Sequence, residues 1–169
     1  MTEEFFPLVD IDGNVIGKST RKICHSGSFL LHPVVHLHVF NSKKELYLQK
    51  RALNKDIQPG KWDTSVGGHV DYGETIEDAL KREVREELGI INFKPFFLIS
   101  YKFVSDKEAE LVHSFYTIYD DKIDPNQLEI SEGKFWKIEE ILSQIDKNIF
   151  TPNFEFEFTK LINQKLFPL

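Results

Sequence analysis

One segment near the middle of the chain predicts a helix with clearly marked ends. Thr75, with Asp78 three residues later, forms a capping box at its start, and Gly89 is a typical stop after the last turn. The helix is therefore predicted over Ile76–Leu88. Its apolar residues keep helical spacing, and they are Ile76, Ala79, Leu80, Val84 and Leu88. The fold must supply an apolar surface against which this stripe can pack.

Three carboxylates project from the side of the helix that also carries part of this apolar stripe. With about 100° per residue, Glu86 and Glu87 lie within about 60° of Glu83, and Ile76 and Leu80 bracket Glu87. Carboxylates so close repel one another, and burial raises the cost. Either they lie at a solvated rim, as on an ordinary charged surface helix, or a cation holds them together. Clustered carboxylate oxygens suit Mg²⁺ or Mn²⁺.

The charge balance restricts the partners that the chain can have. Its net charge is -6, from 21 basic and 27 acidic residues, which argues against a nucleic-acid polymer. The charge is unevenly distributed. Residues 43–61 hold six basic and two acidic side chains (net +4), and residues 68–90 hold seven acidic and three basic ones (net -4). A block that attracts phosphate is thus followed by one that attracts cations.

The remaining composition predicts a cytoplasmic protein. The single cysteine, Cys24, cannot form an internal disulfide, which excludes a disulfide-built secreted module. The first ten residues lack the basic region and apolar stretch of a signal peptide, and the most apolar window, 29–40, is too short to span a membrane. With no repeat or low-complexity linker, we expect one domain over residues 1–169 that does not associate with a membrane.

Other segments predict strands and helices in irregular alternation. A hairpin is predicted from Phe5–Asp10 to Val15-Ile16. Further strands are predicted over 33–40, 45–50, 62–66, 91–104, 111–119 and 134–138. Loops are predicted over 54–61 and 120–132, and helices over 139–145 and from Thr151-Pro152 onward. This order favours a mixed sheet covered by helices.

The segment Gly68–Ile90 resembles the Nudix box. In that pattern, glycine is followed after five residues by glutamate, and after seven more by Arg-Glu-aliphatic-x-Glu-Glu-x-Gly-aliphatic. Every fixed position is filled, by Gly68, Glu74, Arg82, Glu83, Val84, Glu86, Glu87, Gly89 and Ile90. The chain is thereby identified as a member of the Nudix hydrolase family. Membership implies an α/β (α+β) fold, with a mixed β-sheet in an α/β/α sandwich and the box as a loop–helix–loop.

The resemblance also implies an activity and a cofactor. Nudix enzymes cleave a diphosphate linked to another group, as in nucleoside diphosphate compounds, and Mg²⁺ or Mn²⁺ neutralises the phosphates and activates water. The metal would be held by three carboxylates and a carbonyl, those of Glu83, Glu86, Glu87 and Gly67. Arg82 would orient a neighbouring glutamate such as Glu86, and Glu74 would be a structural or supporting partner. Many relatives are homodimers, which makes a homodimer a further expectation.

From about Leu8 to Tyr119 the chain is also similar to isopentenyl diphosphate isomerase, a Nudix-fold relative. Three histidines and two glutamates match the metal ligands of that isomerase, namely His25, His32, His69, Glu108 and Glu110. Arg51 and Lys55 match residues near its substrate diphosphate, where arginine offers a fork and lysine a point charge.

One position separates the chain from the isomerase. The isomerase has a catalytic cysteine immediately before the Gly68-His69 pair, and this chain has Gly67, which can neither donate nor accept a proton. We therefore expect a hydrolase of the isomerase-like branch acting on a small diphosphate compound. The alternatives are isomerase activity, or a ligand-binding module without turnover, against which the complete set of carboxylates argues.

Four other residues are candidates for chemistry. Glu110 is the best candidate for a glutamate outside the box that holds metal or acts as general base, and Glu132 is its rival. His32 and His69 can bind metal or phosphate, and the sequence does not separate these roles.

Four more residues favour a structural role. His36 and His38 share one strand face, where histidines more often form packing hydrogen bonds than ligate. Trp62 and Trp136 are predicted in the core or at its rim, ahead of a role in stacking on a substrate base.

Overall fold

The protein is described from a computed structural model, whose described residues are 2–55 and 57–169. Within them the chain forms nine strands: Phe5–Val9 (β1), Val15–Thr20 (β2), Leu31–Phe40 (β3), Leu46–Arg51 (β4), Trp62–Asp63 (β5), Val66–His69 (β6), Phe96–Val104 (β7), Ala109–Ile118 (β8) and Ile130–Trp136 (β9). The helices are Arg21–Cys24 (α1), Ile76–Leu88 (α2), Ile138–Gln144 (α3) and Pro152–Asn163 (α4).

The main sheet is mixed, and one parallel pair organises it. Its path runs β5-β4-β3-β8-β7, with β6 added to β3 and β9 added to β4. β3 and β8 are parallel over ten residue pairs, and the other pairings are antiparallel. β1 and β2 form a separate two-stranded hairpin. The parallel register places His32 opposite Glu110, so two distant segments of the chain meet at one point of the sheet.

Helices cover the main sheet on both faces. On one face α2 packs on the alternating β3 residues Val35, Leu37 and Val39. On the other, Phe40 and strand β4 pack against α3 and α4 through a cluster rich in phenylalanine. The α/β/α sandwich with a mixed sheet is confirmed. Each face buries its own cluster, so side chains of β3 point alternately toward α2 and toward α4.

Helix α2 begins and ends where its capping residues predict. The Thr75 hydroxyl accepts a hydrogen bond from the Asp78 amide at 3.1 Å, and Gly89 adopts the left-handed conformation with φ of 68°. Four residues of the predicted apolar stripe are buried, the fifth, Ile76, is partly buried, and one carboxylate, Glu87, is buried with them. Helix α4 likewise begins after the predicted Thr151 cap with Pro152 at its first position.

Several boundaries differ from the prediction. The predicted strand 62–66 is two strands, because the buried Thr64-Ser65 pair carries the chain from the edge of β4 to the edge of β3. The predicted strand 91–104 begins only at Phe96. The predicted loop 120–132 ends at Ile130, where β9 starts in register with Arg51 of β4. The short helix α1 was not predicted.

In residues 2–55 and 57–169, no helix has both the length and the apolar character needed to cross a membrane.

Candidate functional site

Arg82 organises the face of α2 that carries the carboxylates. Its guanidinium donates two hydrogen bonds to Glu74, at 2.8 and 2.9 Å, and one to the carbonyl of His69 at 2.9 Å. It also donates to Glu83 at 2.7 Å and more weakly to Glu86 at 3.5 Å. The fork to Glu74 fixes the guanidinium plane, so Glu74 acts as a structural partner. Arg82 orients chiefly Glu83, whereas the spacing had suggested Glu86.

The carboxylate cluster, Glu83, Glu86 and Glu87, holds three differently placed groups. Glu87 is 9% exposed, and its carboxylate accepts a hydrogen bond from the Gln49 side chain at 2.7 Å. Burial, with the Glu83 charge nearby, raises the pKa of Glu87 to about 8. Burial also raises the pKa of Glu83, although Arg82 opposes the change. The side chain of Glu86 is 52% exposed. The three carboxylates thus range from buried to solvent-exposed. A bound cation would reduce the electrostatic repulsion among them.

Two glycines in β6 lie against this cluster in different ways. A Cβ on Gly68 would overlap the carboxylate of Glu83, so this position must be glycine for Glu83 to lie where it does. The backbone of Gly67 lies near the carboxylate of Glu87 and favours its ionised form. Gly67 pairs with His36 of β3, and a Cβ on Gly67 would lie 3.4 Å from the His36 ring. Gly67 therefore leaves an open space beside His36.

A second group of ligand atoms lies on the other side of Gly67-Gly68. This imidazole cluster consists of His25, His32, His69 and Glu108, whose ligand atoms all lie within 4.8 Å of one another. The Nε2 atoms of His25 and His69 are 3.1 Å apart, and His25 Nε2 lies 3.0 Å from a Glu108 oxygen. His25 follows α1, His32 and His69 lie in β3 and β6, and Glu108 immediately precedes β8. Phe6 of β1 stacks on the His69 ring with centroids 4.5 Å apart.

Electrostatics keep two of these imidazoles neutral and one carboxylate charged. Burial, together with the neighbouring His25 and His32, holds the pKa of His69 well below its usual range. Burial likewise lowers the pKa of His25. Burial opposes ionisation of Glu108, but the neighbouring His32 and His25 imidazoles lower its pKa overall. Neutral imidazole and ionised carboxylate are the forms that bind a metal.

Glu110 lies beside the imidazole cluster. It is buried, with one oxygen 3.9 Å from His69 Nε2. Burial and the neighbouring Glu108 raise its pKa to about 7, against the opposing effect of His36 and His32. The residue predicted as the additional glutamate therefore lies beside His69. The rival Glu132 is half-exposed and is 4.0 Å from Lys50 at the far end of β4.

Both clusters fit a bound divalent cation. In the imidazole cluster, His32 Nε2 and Glu108 Oε2 are buried and lack hydrogen-bond partners, although they lie 3.5 Å apart. Buried polar atoms without partners are rare, and converging ligands explain them. His32 Nδ1 contacts the carbonyl of Leu30 at 2.8 Å, which fixes the ring as in metal-bound histidines. A mixed nitrogen and oxygen set suits Mn²⁺, Fe²⁺ or Zn²⁺, whereas the carboxylate cluster suits Mg²⁺.

The two predicted phosphate-binding cations border the site. Arg51 donates to the Ile57 carbonyl at 2.9 Å and lies 3.5 Å from Asp63. Lys55 lies 3.8 Å from Glu129, and the negative charge of Glu129 contributes to the raised pKa values of Glu83 and Glu87. Both cations are therefore held by weak carboxylate contacts at the edge of the acidic region.

Both tryptophans are buried as predicted, and one histidine of the pair forms the predicted packing hydrogen bond. His36 Nδ1 is 2.6 Å from Glu157 of α4, and His38 Nε2 is 3.4 Å from the other oxygen of that carboxylate. Trp62 and Trp136 are buried against each other in an edge-to-face pair at 5.1 Å.

Sequence reasoning missed Gln49 and Glu157. Gln49 carries no local signal, because its contact with Glu87 exists only once β4 lies beside the end of α2. Glu157 did carry a signal. It lies at helical spacing with the apolar residues Phe154, Phe158 and Leu161, where a charge is out of place.

Known proteins share this architecture. The NUDIX domain model matches residues 30–156. The chain is 33% identical to isopentenyl-diphosphate Delta-isomerase 1 of Photorhabdus laumondii over 163 residues, which cover 92% of this chain and 93% of that protein. It is 36% identical to an uncharacterised Nudix hydrolase of Nostoc sp. over 135 residues, or 79% of each chain.

Solved structures agree in fold. The crystal structure of DR0079 from Deinococcus radiodurans superposes with a TM-score of 0.77 at 24% identity, covering 95% of this chain and 98% of that one. The NUDIX domain of Shewanella oneidensis NrtR, solved with ADP ribose, superposes with a TM-score of 0.61 at 15% identity, covering 80% and 88%. With the family model spanning most of its length and the complete motif folded around α2, the chain belongs to the Nudix family.

Proposed function

We propose that this protein is a divalent-metal-dependent hydrolase of a small diphosphate compound. The observation that carries the proposal is the carboxylate cluster. Its three glutamates are all present and differ in solvent exposure, and hydrogen bonds from Arg82 and Gln49 hold two of them in place. The ADP ribose held by the Shewanella oneidensis NUDIX domain supports a diphosphate ligand. Arg51 and Lys55 are proposed to bind the outer phosphate oxygens by exchanging their carboxylate contacts for phosphate.

Each residue has a proposed part in cleavage. Bound Mg²⁺ or Mn²⁺ would neutralise the diphosphate and activate a water. Glu83, Glu86 and Glu87, with the Gly67 carbonyl, are proposed to hold that metal, and Arg82 keeps Glu83 turned toward it. Glu110, with a pKa near 7, is proposed to accept a proton or hold metal. His32 and His69 are proposed to bind metal with His25 and Glu108 rather than to contact phosphate, because their free nitrogens converge on one another.

The experiment measures phosphate-linked product release from nucleotide sugars, dinucleotides and prenyl diphosphates with Mg²⁺. Glu86→Gln and Glu87→Gln are compared with Glu77→Gln, which changes an exposed glutamate of the same helix that pairs with Lys81. We expect turnover by the wild type and the Glu77 variant alone. If the wild type turns over none of these compounds, and the Glu86 and Glu87 variants bind Mg²⁺ as well as it does, the proposal is wrong.

A second candidate function is isomerisation of isopentenyl diphosphate. The imidazole cluster with Glu110 and the Photorhabdus relative favour it. Gly67 opposes it, because the reaction needs a proton donor and a proton acceptor on opposite sides of the substrate. Incubation of isopentenyl diphosphate in heavy water separates the functions. Deuterium incorporation or allylic product would replace the hydrolase proposal, and tight binding with no product of either kind would favour a ligand-binding module.

A further inference from the structure

A buried polar group on the α4 side of the sheet has no part in the proposed metal and phosphate binding. Glu157 and His38 are 0% exposed, and His36 is only 12% exposed in its side chain. Burying a carboxylate beside two imidazoles is costly, and apolar residues of similar volume are often at least as stable. The surrounding α4 residues Phe154, Phe158 and Leu161 are all apolar. Core packing therefore does not account for the His36–Glu157–His38 group.

The orientation of His36 connects this group to the site. Glu157 holds its Nδ1 at 2.6 Å, so the opposite edge of the ring, with Cδ2 and Nε2, faces Gly67. A Cβ on Gly67 would lie 3.4 Å from Cδ2 and 3.6 Å from Nε2. The space left by the missing side chain is thus bounded by a hydrogen-bonding atom. The backbone of Gly67 is also near Glu87, and His69 follows two residues along β6.

Tyr101 of β7 packs against α4 at the residue that precedes Glu157. Burial and the charges of Glu157 and Glu110 raise the pKa of its phenol. The Tyr101 ring also contacts the Phe156 ring of α4, with centroids 5.6 Å apart. A group attached to the diphosphate and entering the space beside Gly67 would meet the His36 imidazole.

We propose that His36 determines substrate specificity by binding a hydroxyl or amide group of the moiety attached to the diphosphate, and that Glu157 is its positioning residue. This rests on the proposed diphosphate hydrolysis at the neighbouring carboxylate cluster. A hydrocarbon group in the same space would cover the Gly67-facing edge of His36 and leave its Nε2 without a hydrogen-bond partner, which a site built for a polar group strongly disfavours. Diphosphates carrying sugar hydroxyls are accepted, and prenyl diphosphates are rejected.

The test compares two probes, ADP-ribose and dimethylallyl diphosphate, by hydrolysis with Mg²⁺ and by calorimetric binding with Ca²⁺ in place of Mg²⁺. The variants are His36→Leu, Glu157→Gln and the double variant H36L/E157Q, which avoids leaving a buried carboxylate without His36. His113→Asn is the control, since that histidine lies on β8 and contacts Ser100. Thermal unfolding shows which variants fold.

We expect the wild type to favour ADP-ribose in kcat/KM and in binding. His36→Leu and the double variant should lower kcat/KM for ADP-ribose by roughly 10- to 200-fold, mainly by raising KM. The ratio of kcat/KM for ADP-ribose to that for dimethylallyl diphosphate should therefore decrease. Glu157→Gln should have a smaller effect in the same direction, and His113→Asn none.

Two results would overturn the proposal. One is a wild type that binds and cleaves both probes equally well. The other is a loss in the folded His36 variants that is equal for both probes. Failure of the hydrolase proposal looks different: no probe is cleaved, and calorimetry still reports whether the binding preference exists and depends on His36.

Discussion

The carboxylate cluster and the imidazole cluster flank the same short strand, β6, but they are built in opposite ways. The first comes from consecutive turns of one helix, contains only oxygen ligands and keeps one member half in solvent. The second draws on four separate parts of the chain, is rich in nitrogen and contains two buried atoms without hydrogen-bond partners. Local periodicity is enough to place the first, whereas only the folded sheet assembles the second. Their ligand types also favour different ions.

The largest expected effect separates the clusters by function. Glu87→Gln should lower kcat by about 10³-fold, because it removes a charge next to the reacting phosphate. Glu108→Gln should leave measurable hydrolysis in Mg²⁺ if the carboxylate cluster alone carries the chemistry. Steady-state kinetics of both variants at matched Mg²⁺ decide this. Equal losses would show that the two clusters act as one catalytic unit.

The next largest effect concerns the glycine that lies against Glu83. Gly68→Ala should lower hydrolysis about 100-fold, since its methyl group would displace the Glu83 carboxylate that Arg82 orients. Gly17→Ala on β2 is the matched control, because its Cβ would make only an ordinary contact with Leu8, away from both clusters and from the space beside His36. Activity assays with thermal unfolding of both proteins test the pair. Equal activity of the two would show that Glu83 has no strict place in the site.

The metal content of the purified protein should show that the two clusters bind different ions. Protein prepared with trace Mn²⁺, Fe²⁺ or Zn²⁺ is expected to retain one ion at the imidazole cluster after dialysis against Mg²⁺. His69→Ala should weaken its binding by at least about 10- to 100-fold, the cost usual for groups that only support a ligand. Elemental analysis of wild type, His69→Ala and the control His113→Ala measures this. Retention of the ion by His69→Ala would place it elsewhere.

The smallest effect is a pH dependence of Mg²⁺ binding at the carboxylate cluster. Without metal, the pKa of Glu87 is about 8, so this carboxyl is mostly protonated at pH 7, and metal binds the ionised form. Mg²⁺ affinity should therefore rise with pH up to about 8, by at most about tenfold per unit, with release of a proton. Calorimetry in buffers of different ionisation enthalpy counts the proton. If Mg²⁺ affinity depends on pH in the same way in the wild type and in Glu87→Gln, the assignment to Glu87 is contradicted.

The sequence predicted those parts of the fold that depend on neighbouring residues. The bounds of α2, the Thr151 cap of α4 and the alternation of β3 all follow from local spacing. The break between β5 and β6 was not predictable, because it depends on which strand edge each half joins. The exposure of each carboxylate also required the fold: Glu87 is buried only because β4 brings Gln49 to it. Arg82 was expected to orient a neighbouring glutamate such as Glu86, whereas its principal partner, Glu83, follows from the guanidinium geometry set by Glu74.

The parallel pairing of β3 and β8 has a consequence for folding kinetics. It aligns His32 with Glu110 and Leu31 with Ala109, and it joins segments far apart in the chain, a kind of contact that forms slowly. A slip of one residue would turn Glu108 and Glu110 to the opposite face of the sheet. A collapsed chain with misaligned β8 would therefore hold all its helices and still lack the imidazole cluster. Capture of a tightly bound metal should consequently be one of the last events of folding, and its rate should report when the native strand register is reached.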